Sequence, residues 1–435
     1  MRSTKSLRDL VGPGTYPRDF LSFPRGPAVP PEHRNSLKFA LSAFDPCGLP
    51  PPPGGDALTP PNWPSSFSTD GWQLVAVVEA NGGGKHRVFQ GQPECCSSNF
   101  YSKWAEDVQG ITFGGGHWFI TQTKTLHKLC DCGGLPQAQE SSVDMPEVLN
   151  PPSPFPLFPL PYPYDHFGDP CFFGDRVFVP IEAVEKNRPG VVAVFDGDSL
   201  SYLPQASSPL VLSNGTVLGD APWCAVNPWD SLLYTSRFNP FEEASETAKL
   251  YAFDPFSRRT YSFQEWGALG LHPVVFVSHG LASGVPLDDE MCQLALTTLT
   301  QSGIWLLAEK PYSVPYPMSL WTIDVYPHVK TIQVPYKLHH VQGGCFSEKG
   351  QLYLSMDYYD TDREFGDVVC LEMLKGNCLG GSSIFVDKSL WQELEGLCLF
   401  QASNGDVLLY VLQWDKELGK SDERAYLRRR IVSAG

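Results

Sequence analysis

Six times along this chain an ionisable residue sits three positions before a short apolar strand that runs into a second strand. The clearest copies read Asp107-Val-Gln-Gly-Ile-Thr-Phe and His340-Val-Gln-Gly-Gly-Cys-Phe. Each is followed by a Gly-containing turn and then by Trp118-Phe-Ile-Thr or Leu352-Tyr-Leu-Ser. A self-similar unit that cannot bury its own apolar face is the mark of a closed array of small sheets, a β-propeller. The remaining copies open at His166, Asp220, Glu290 and Glu393, so successive starts are 59, 54, 70, 50 and 53 residues apart. Four strands of about five residues plus turns need roughly 40 to 50 residues, which leaves room for one blade and its loop insertions in each interval.

The sequence therefore predicts an all-β fold, a propeller over residues 71–435 for which six blades fit best, with five or seven left open by the irregular copy at Glu290. A Pro-rich arm over residues 1–70 precedes it, culminating in Leu49-Pro-Pro-Pro-Pro-Gly-Gly and lacking the apolar content for a core of its own. The forty Pro and 39 Gly are dispersed along the chain, which favours turns over long helices. The last unit supplies only three strands before the chain ends. Trp72 to Glu79, an apolar strand at the other end, is expected to complete it and close the ring.

The first strand of a propeller blade lines the axis, so the repeated residues should gather at one mouth of the central channel. In a six-fold ring, blades two and five set His166 and His340 on opposite sides. Gln109, Gln342 and Glu395, two places on from their own repeated residues, form a second polar tier expected to bind ligand. His beside carboxylates suits general acid–base work, which assigns catalytic candidacy to His166, His340 and Glu393. Oxygen ligands suit a divalent cation, calcium or a transition metal, which assigns metal candidacy to Asp107, Asp220 and Glu290. The bland reading is that each residue merely bonds the backbone of a neighbouring blade.

With Glu395-Gly396 opening a strand, the architecture from about residue 72 onward resembles the six-bladed metal-dependent hydrolase superfamily of gluconolactonases and paraoxonase-type lactonases. That resemblance implies a divalent cation, usually calcium, held in the channel by carboxylate and Asn ligands; two of the positions here are His. The Gln-Gly pairs at Gln109 and Gln342 are also similar to those of propeller-type glutaminyl cyclotransferases.

Charge and cysteine usage narrow the rest. A formal charge of -16 opposes nucleic-acid binding through a basic field. No stretch approaches the roughly 20 apolar residues needed to span a bilayer, and the charged Met1–Leu10 lacks a signal-peptide core, so a soluble, cytoplasmic monomer is expected. Cys171, Cys345 and Cys398 share the repeat position of Thr112, with Cys224 one place away, and read as reduced packing residues. Cys95-Cys96 and Cys130-Asp-Cys132 lie in loops, where redox pairing is the alternative. Gly114-Gly-Gly-His117 and Asn81-Gly-Gly-Gly-Lys85 lack the following helix of a phosphate loop, and Ser278-His-Gly lacks a nucleophile elbow. The functional expectation is a small-molecule-binding propeller, a metal-dependent hydrolase or lyase in its sharper form. The alternative is a non-catalytic scaffold that presents rim loops to protein partners.

Overall fold

The computed structural model describes residues 71–79, 103–146, 164–183, 189–238, 248–262, 322–334, 338, 340–357, 365–373, 377–386, 392–416 and 423–433. All belong to the unit Pro46–Gly435. The expected arm over residues 1–70 lies outside them, as do Cys95-Cys96, Ser278-His-Gly and the fourth copy with Glu290. Among the described residues no helix is long and apolar enough to cross a membrane.

Short antiparallel sheets make up the structure. The first blade is a meander of β2 (Val108–Gly114), β3 (His117–Gln122), β4 (Thr125–Asp131) and β5 (Pro136–Asp144), entered through a single 3-10 turn at Lys103–Ala105. The second splits its inner edge into β6 (Tyr164–Phe167) and β7 (Cys171–Phe173). Both pair with β8 (Arg176–Ala183), followed by β9 (Val191–Asp196) and the short β10 (Ser208–Pro209). The third runs β11 (Ala225–Val226), β12 (Leu233–Ser236), β13 (Lys249–Phe253) and then β16 (His328–Gln333). Between β13 and β16 the chain leaves and returns through a separate two-stranded ribbon, β14 (Arg259–Ser262) with β15 (Thr322–Val325). The fourth comprises β17 (Val341–Phe346), β18 (Gln351–Met356), β19 (Phe365–Glu372) and β20 (Asn377–Phe385). The fifth comprises β21 (Glu393–Gln401), β22 (Val407–Lys416) and β23 (Glu423–Ser433), with β1 (Gln73–Glu79) as its outer strand.

β1 pairs antiparallel with β23 from Gln73 opposite Arg429 to Glu79 opposite Arg424, so the N-terminal strand closes the ring as expected. Among the described residues the blades number five, one of the counts that the irregular fourth copy had left open, and not the six that fitted best. Inner strands β2, β7, β11, β17 and β21 pack in succession, and β21 returns to β2. Five apolar clusters fill the five gaps between neighbouring blades. The cluster joining the fifth blade to the first, for example, sets Val75, Leu412 and Tyr410 against Ile111, Trp118 and Leu129. The sequence spacing misled at the fourth copy: Glu290 lies in the chain between the paired strands β14 and β15, outside the described residues, and the next described inner strand is β17.

Strand character follows position. The middle strand β9, Val-Val-Ala-Val-Phe-Asp, is buried along nearly its whole length because both its faces meet other blades. Outer strand β16, His-Val-Lys-Thr-Ile-Gln, carries the polar residues that face water. Cys171, Cys224, Cys345 and Cys398 are outside any disulfide, as expected of packing residues, and so is Cys370. Burial pushes Cys171 up to about 12 and holds Cys224, Cys345 and Cys398 well above the ordinary thiol value. Cys130 is outside any disulfide, its thiol donating to Glu140 Oε1 at 3.1 Å, whereas Cys132 is disulfide-bonded.

Candidate functional site at the axial mouth

Five positions, one per blade, meet at the axis: Gly110, Asp169, Trp223, Gly343 and Gly396. Three are glycine because nothing larger fits. A Cβ on Gly110 would lie 2.4 Å from the Asp169 Cα, and one on Gly396 would lie 2.0 Å from the Asp169 Oδ1. Asp169 takes the vacated centre. Its Oδ1 accepts the Ile111 N–H at 2.9 Å, and its Oδ2 accepts those of Gly344 at 3.0 Å and Leu397 at 3.3 Å. Its backbone carbonyl accepts the Cys224 N–H at 3.2 Å. The four donors are the residues immediately after the axial position in the other four blades. In the second blade that place is Pro170, which has no N–H to offer. Asp169 is fully buried; burial raises its carboxyl above the usual carboxylate value, and the three N–H groups pull against that rise.

The residues singled out from the repeat stand in register above this floor. Asp107, His166, Asp220, His340 and Glu393 each precede an axial position by three, and Gln109, Gln342 and Glu395 precede one by a single residue. Glu290 lies outside the described residues. His166 enters the second described blade and His340 the fourth, so the two do not stand in the opposed second and fifth blades of a six-fold ring.

Asp107 and His340 both adopt left-handed backbone, φ 48° and 31°, at the entry to their inner strands. That conformation costs a non-glycine residue of order 1 kcal/mol, least for residues such as Asp and His. Asp107 is held by the Thr123 hydroxyl, which donates to its carboxylate. The Gln109 amide nitrogen donates to the Asp107 carbonyl at 3.4 Å, so its oxygen faces Nε2 of His166, 2.6 Å away. A neutral His166 is therefore the Nε2–H tautomer, with its lone pair on Nδ1. One hydrogen-bonded path thus joins Thr123, Asp107, Gln109 and His166 across two blades.

The fourth and fifth blades supply a second group. The His340 ring is buried and stacks on Phe238, with centroids 5.0 Å apart. Phe238 donates its backbone N–H to the Asp220 carbonyl at 3.2 Å. The Asp357 N–H donates to the His340 carbonyl at 3.0 Å, and its Oδ2 accepts the Leu394 N–H at 3.1 Å. Next to Leu394 stands Glu395, 2% exposed, whose Oε2 has no hydrogen-bond partner among the described residues. Its backbone carbonyl is fixed by the Ser355 hydroxyl at 2.6 Å. Burial, then the charges of Glu393, Asp357, Asp107 and Asp169, hold the Glu395 carboxyl well above the ordinary carboxylate value.

The mouth thus brings together Asp107, Gln109 and His166 on one side, and Glu393 and Glu395 with Asp357 on another. Gln342 is partly exposed on β17. Among the described residues no three His, Cys, Asp or Glu side chains are arranged to hold a metal ion. Sequence reasoning missed Asp169 and Asp357. Asp169 had a signal: it occupies the place where the clearer repeats have Gly.

No family model matches the sequence, and no curated protein matches it. Solved structures similar in strand arrangement include a luciferin-regenerating enzyme, 9% identical over 75% of this chain and 78% of that one, with a TM-score of 0.32. A xylan β-1,4-xylosidase from Bacillus halodurans C-125 is 9% identical over 76% of this chain and 55% of that one, TM-score 0.40. The β-propeller domain of the Trilobed protease from Pyrococcus furiosus is 8% identical over 59% of this chain and 56% of that one, TM-score 0.23. Likeness at this level carries no activity, substrate or cofactor across to this chain.

Proposed function

We propose that this propeller binds a small polar molecule at the mouth of its axis and acts on it by acid–base chemistry, as a hydrolase or lyase. The observation that supports this reading is Glu395: a buried carboxyl with one oxygen lacking a hydrogen-bond partner among the described residues, surrounded by the charges of other carboxylates. A residue that served only packing would cost less as Leu or Met, because burying an unsatisfied carboxyl opposes folding. In this reading Glu395 delivers its proton to the departing group of the substrate. His166, oriented by Gln109, accepts a proton through Nδ1 from water or from the substrate carbon. Glu393 and Asp107 supply the negative charge that keeps Glu395 protonated between turnovers.

The test is a panel of chromogenic esters, lactones and glycosides offered to the purified full chain. Glu395→Gln should lower kcat by about 100-fold or more while leaving the far-ultraviolet spectrum and melting temperature near those of the parent. An active substrate that Glu395→Gln turns over at the parental rate would sink the reading. So would a panel with no turnover and no small molecule that raises the melting temperature, and the protein-interaction scaffold would then take its place. A chelator arm covers the cation: turnover lost in chelator and restored by calcium would assign Asp107 and Asp220 as ligands.

A further inference from the structure

One sequence motif plays no part in the axial site. Asn214-Gly215-Thr216 is the chain's single Asn-x-Ser/Thr triplet, the acceptor sequence for an N-linked glycan. It lies at the tip of a hairpin between β10 and β11. Val211 and Val217 pair antiparallel across that hairpin, and the Leu212 N–H donates to the Thr216 carbonyl at 2.8 Å. The Gly215 N–H donates to the Leu212 carbonyl at 2.9 Å, and Gly215, at φ 86°, takes the left-handed step that closes the turn. Leu210, Val211 and Leu218 bury the base, and the Ser213 N–H reaches Nδ1 of His328 on β16 at 3.4 Å. Asn214 and Thr216 themselves are exposed.

The turn also sets the Asn214 side chain. Its Oδ1 accepts the Thr216 N–H at 3.0 Å, an Asx turn between residues two apart in sequence. That contact needs no other blade, so it is open to the chain before the ring closes. The oxygen faces the backbone, and the amide nitrogen is the other arm of the same planar group. Among the described residues Nδ2 makes no hydrogen bond, so a bulky group attached there displaces nothing that the fold uses.

Cysteine chemistry supplies an independent observation. Cys132, at the base of the Gly133-Gly134 turn that joins β4 to β5, is disulfide-bonded. Disulfides persist in oxidising compartments, and secreted chains are also the ones whose Asn-x-Ser/Thr loops receive glycans. The thiols of the inner strands are compatible with such surroundings, because burial holds Cys224, Cys345 and Cys398 well above the ordinary thiol value and so withholds the reactive thiolate.

We propose that Asn214 is an N-glycosylation site, and that the chain folds in an oxidising compartment rather than in the cytoplasm expected from its sequence. The donor is an oligosaccharide carried on a lipid diphosphate. Nδ2 forms a bond to the anomeric carbon of the first sugar while the bond from that carbon to the diphosphate oxygen breaks. The lipid diphosphate departs with the bonding pair, and the amide proton passes to a base of the transferring enzyme. No oxidant is consumed.

Peptide mapping by mass spectrometry of the full chain, isolated from the cells that make it, tests this. The peptide containing Asn214 should carry a glycan, and peptide N-glycosidase should remove it and leave an aspartate at that position. Alkylation before reduction should leave Cys132 unlabelled. Thr216→Ala should abolish the glycan and Thr216→Ser should retain it, since serine keeps the acceptor hydroxyl; the exposure of Thr216 lets both variants fold, which circular dichroism checks. An unmodified Asn214 would overturn the proposal, and a Cys132 that also alkylates without reduction would return the chain to a reducing compartment. A glycan that survives Thr216→Ala would overturn the assignment to Asn214.

Discussion

A methyl group added to Gly396 would lie 2.0 Å from the Oδ1 of Asp169. The two residues occupy the same place in their respective blades, one as the smallest residue available and the other as the side chain that uses the space. Gly110 and Gly343 are crowded by the same carboxylate. The axis is thus closed by one acidic side chain that gathers N–H groups from three blades and, through its carbonyl, from a fourth.

Gly396→Ala should therefore be far costlier than glycine substitution elsewhere. The obstructing atoms are a fixed carboxylate and the Gly110 backbone, neither of which can move without breaking the floor. A loss of about 3 kcal/mol or more is expected in urea denaturation. Gly116→Ala, in the open β2–β3 turn at φ 79° with nothing within 4 Å, should cost only about 1 kcal/mol. Equal losses would contradict the close packing of the axis.

Asp169→Asn keeps the shape and tests the hydrogen bonds. The amide nitrogen would face a backbone N–H whichever way it turned, since both carboxylate oxygens already accept N–H groups. Leaving buried N–H groups without acceptors should cost about 3 kcal/mol or more. A variant as stable as the parent in chemical denaturation would show that the N–H groups find water or other partners instead.

Ring closure makes the N-terminal strand indispensable although it lies far from the C-terminal strands in sequence. β1 buries Val75, Ala76 and Val78 and pairs with β23, and the Trp72 indole N–H reaches the Ser382 hydroxyl of the fourth blade at 2.9 Å. Each buried Val contributes roughly 1.5–2 kcal/mol. Deletion of residues 1–79 should lower the melting temperature and, by exposing the edge of β23, cause self-association visible in size-exclusion chromatography. Deletion of residues 1–70 alone is the control and should do neither.

Glu395 gives stability a pH dependence of definite sign. Its folded-state carboxyl is raised above the ordinary value, first by burial and then by Glu393, Asp357, Asp107 and Asp169. The folded chain therefore holds a proton that the unfolded chain has released. The associated stability is present below the ordinary carboxylate value and is lost as pH rises through the raised one. Glu395→Gln has no such proton, so its stability relative to the parent should improve as pH rises above the ordinary carboxylate value. Unfolding free energies from urea melts at several pH values measure this directly. Parallel curves would mean that Glu395 titrates normally.

Much of the fold was written locally. The strand pattern, the turn glycines and the repeated Gln-Gly steps marked inner strands β2 and β17, and the shortage of strands at the C-terminus pointed to Trp72–Glu79 as the missing piece. Each of those signals depends only on residues next to one another in sequence. The blade count was not of that kind. The interval from Asp220 to His340 spans the third blade, the β14–β15 ribbon and residues 263–321, which lie outside the described residues, so spacing along the chain does not measure one blade there.

The site divides the same way. The sequence alone determined that an ionisable residue recurs at a fixed offset before an inner strand, because strand periodicity fixes which positions point to the axis. Only the tertiary structure decided that five such strands meet, and that Asp169 fills the space left by three glycines. It also placed Glu395 in a dry position among the charges of four other acids while Gln109 turns His166 into a defined tautomer. Burial and electrostatics depend on what the other blades bring to the axis, and those partners lie dozens to hundreds of residues away.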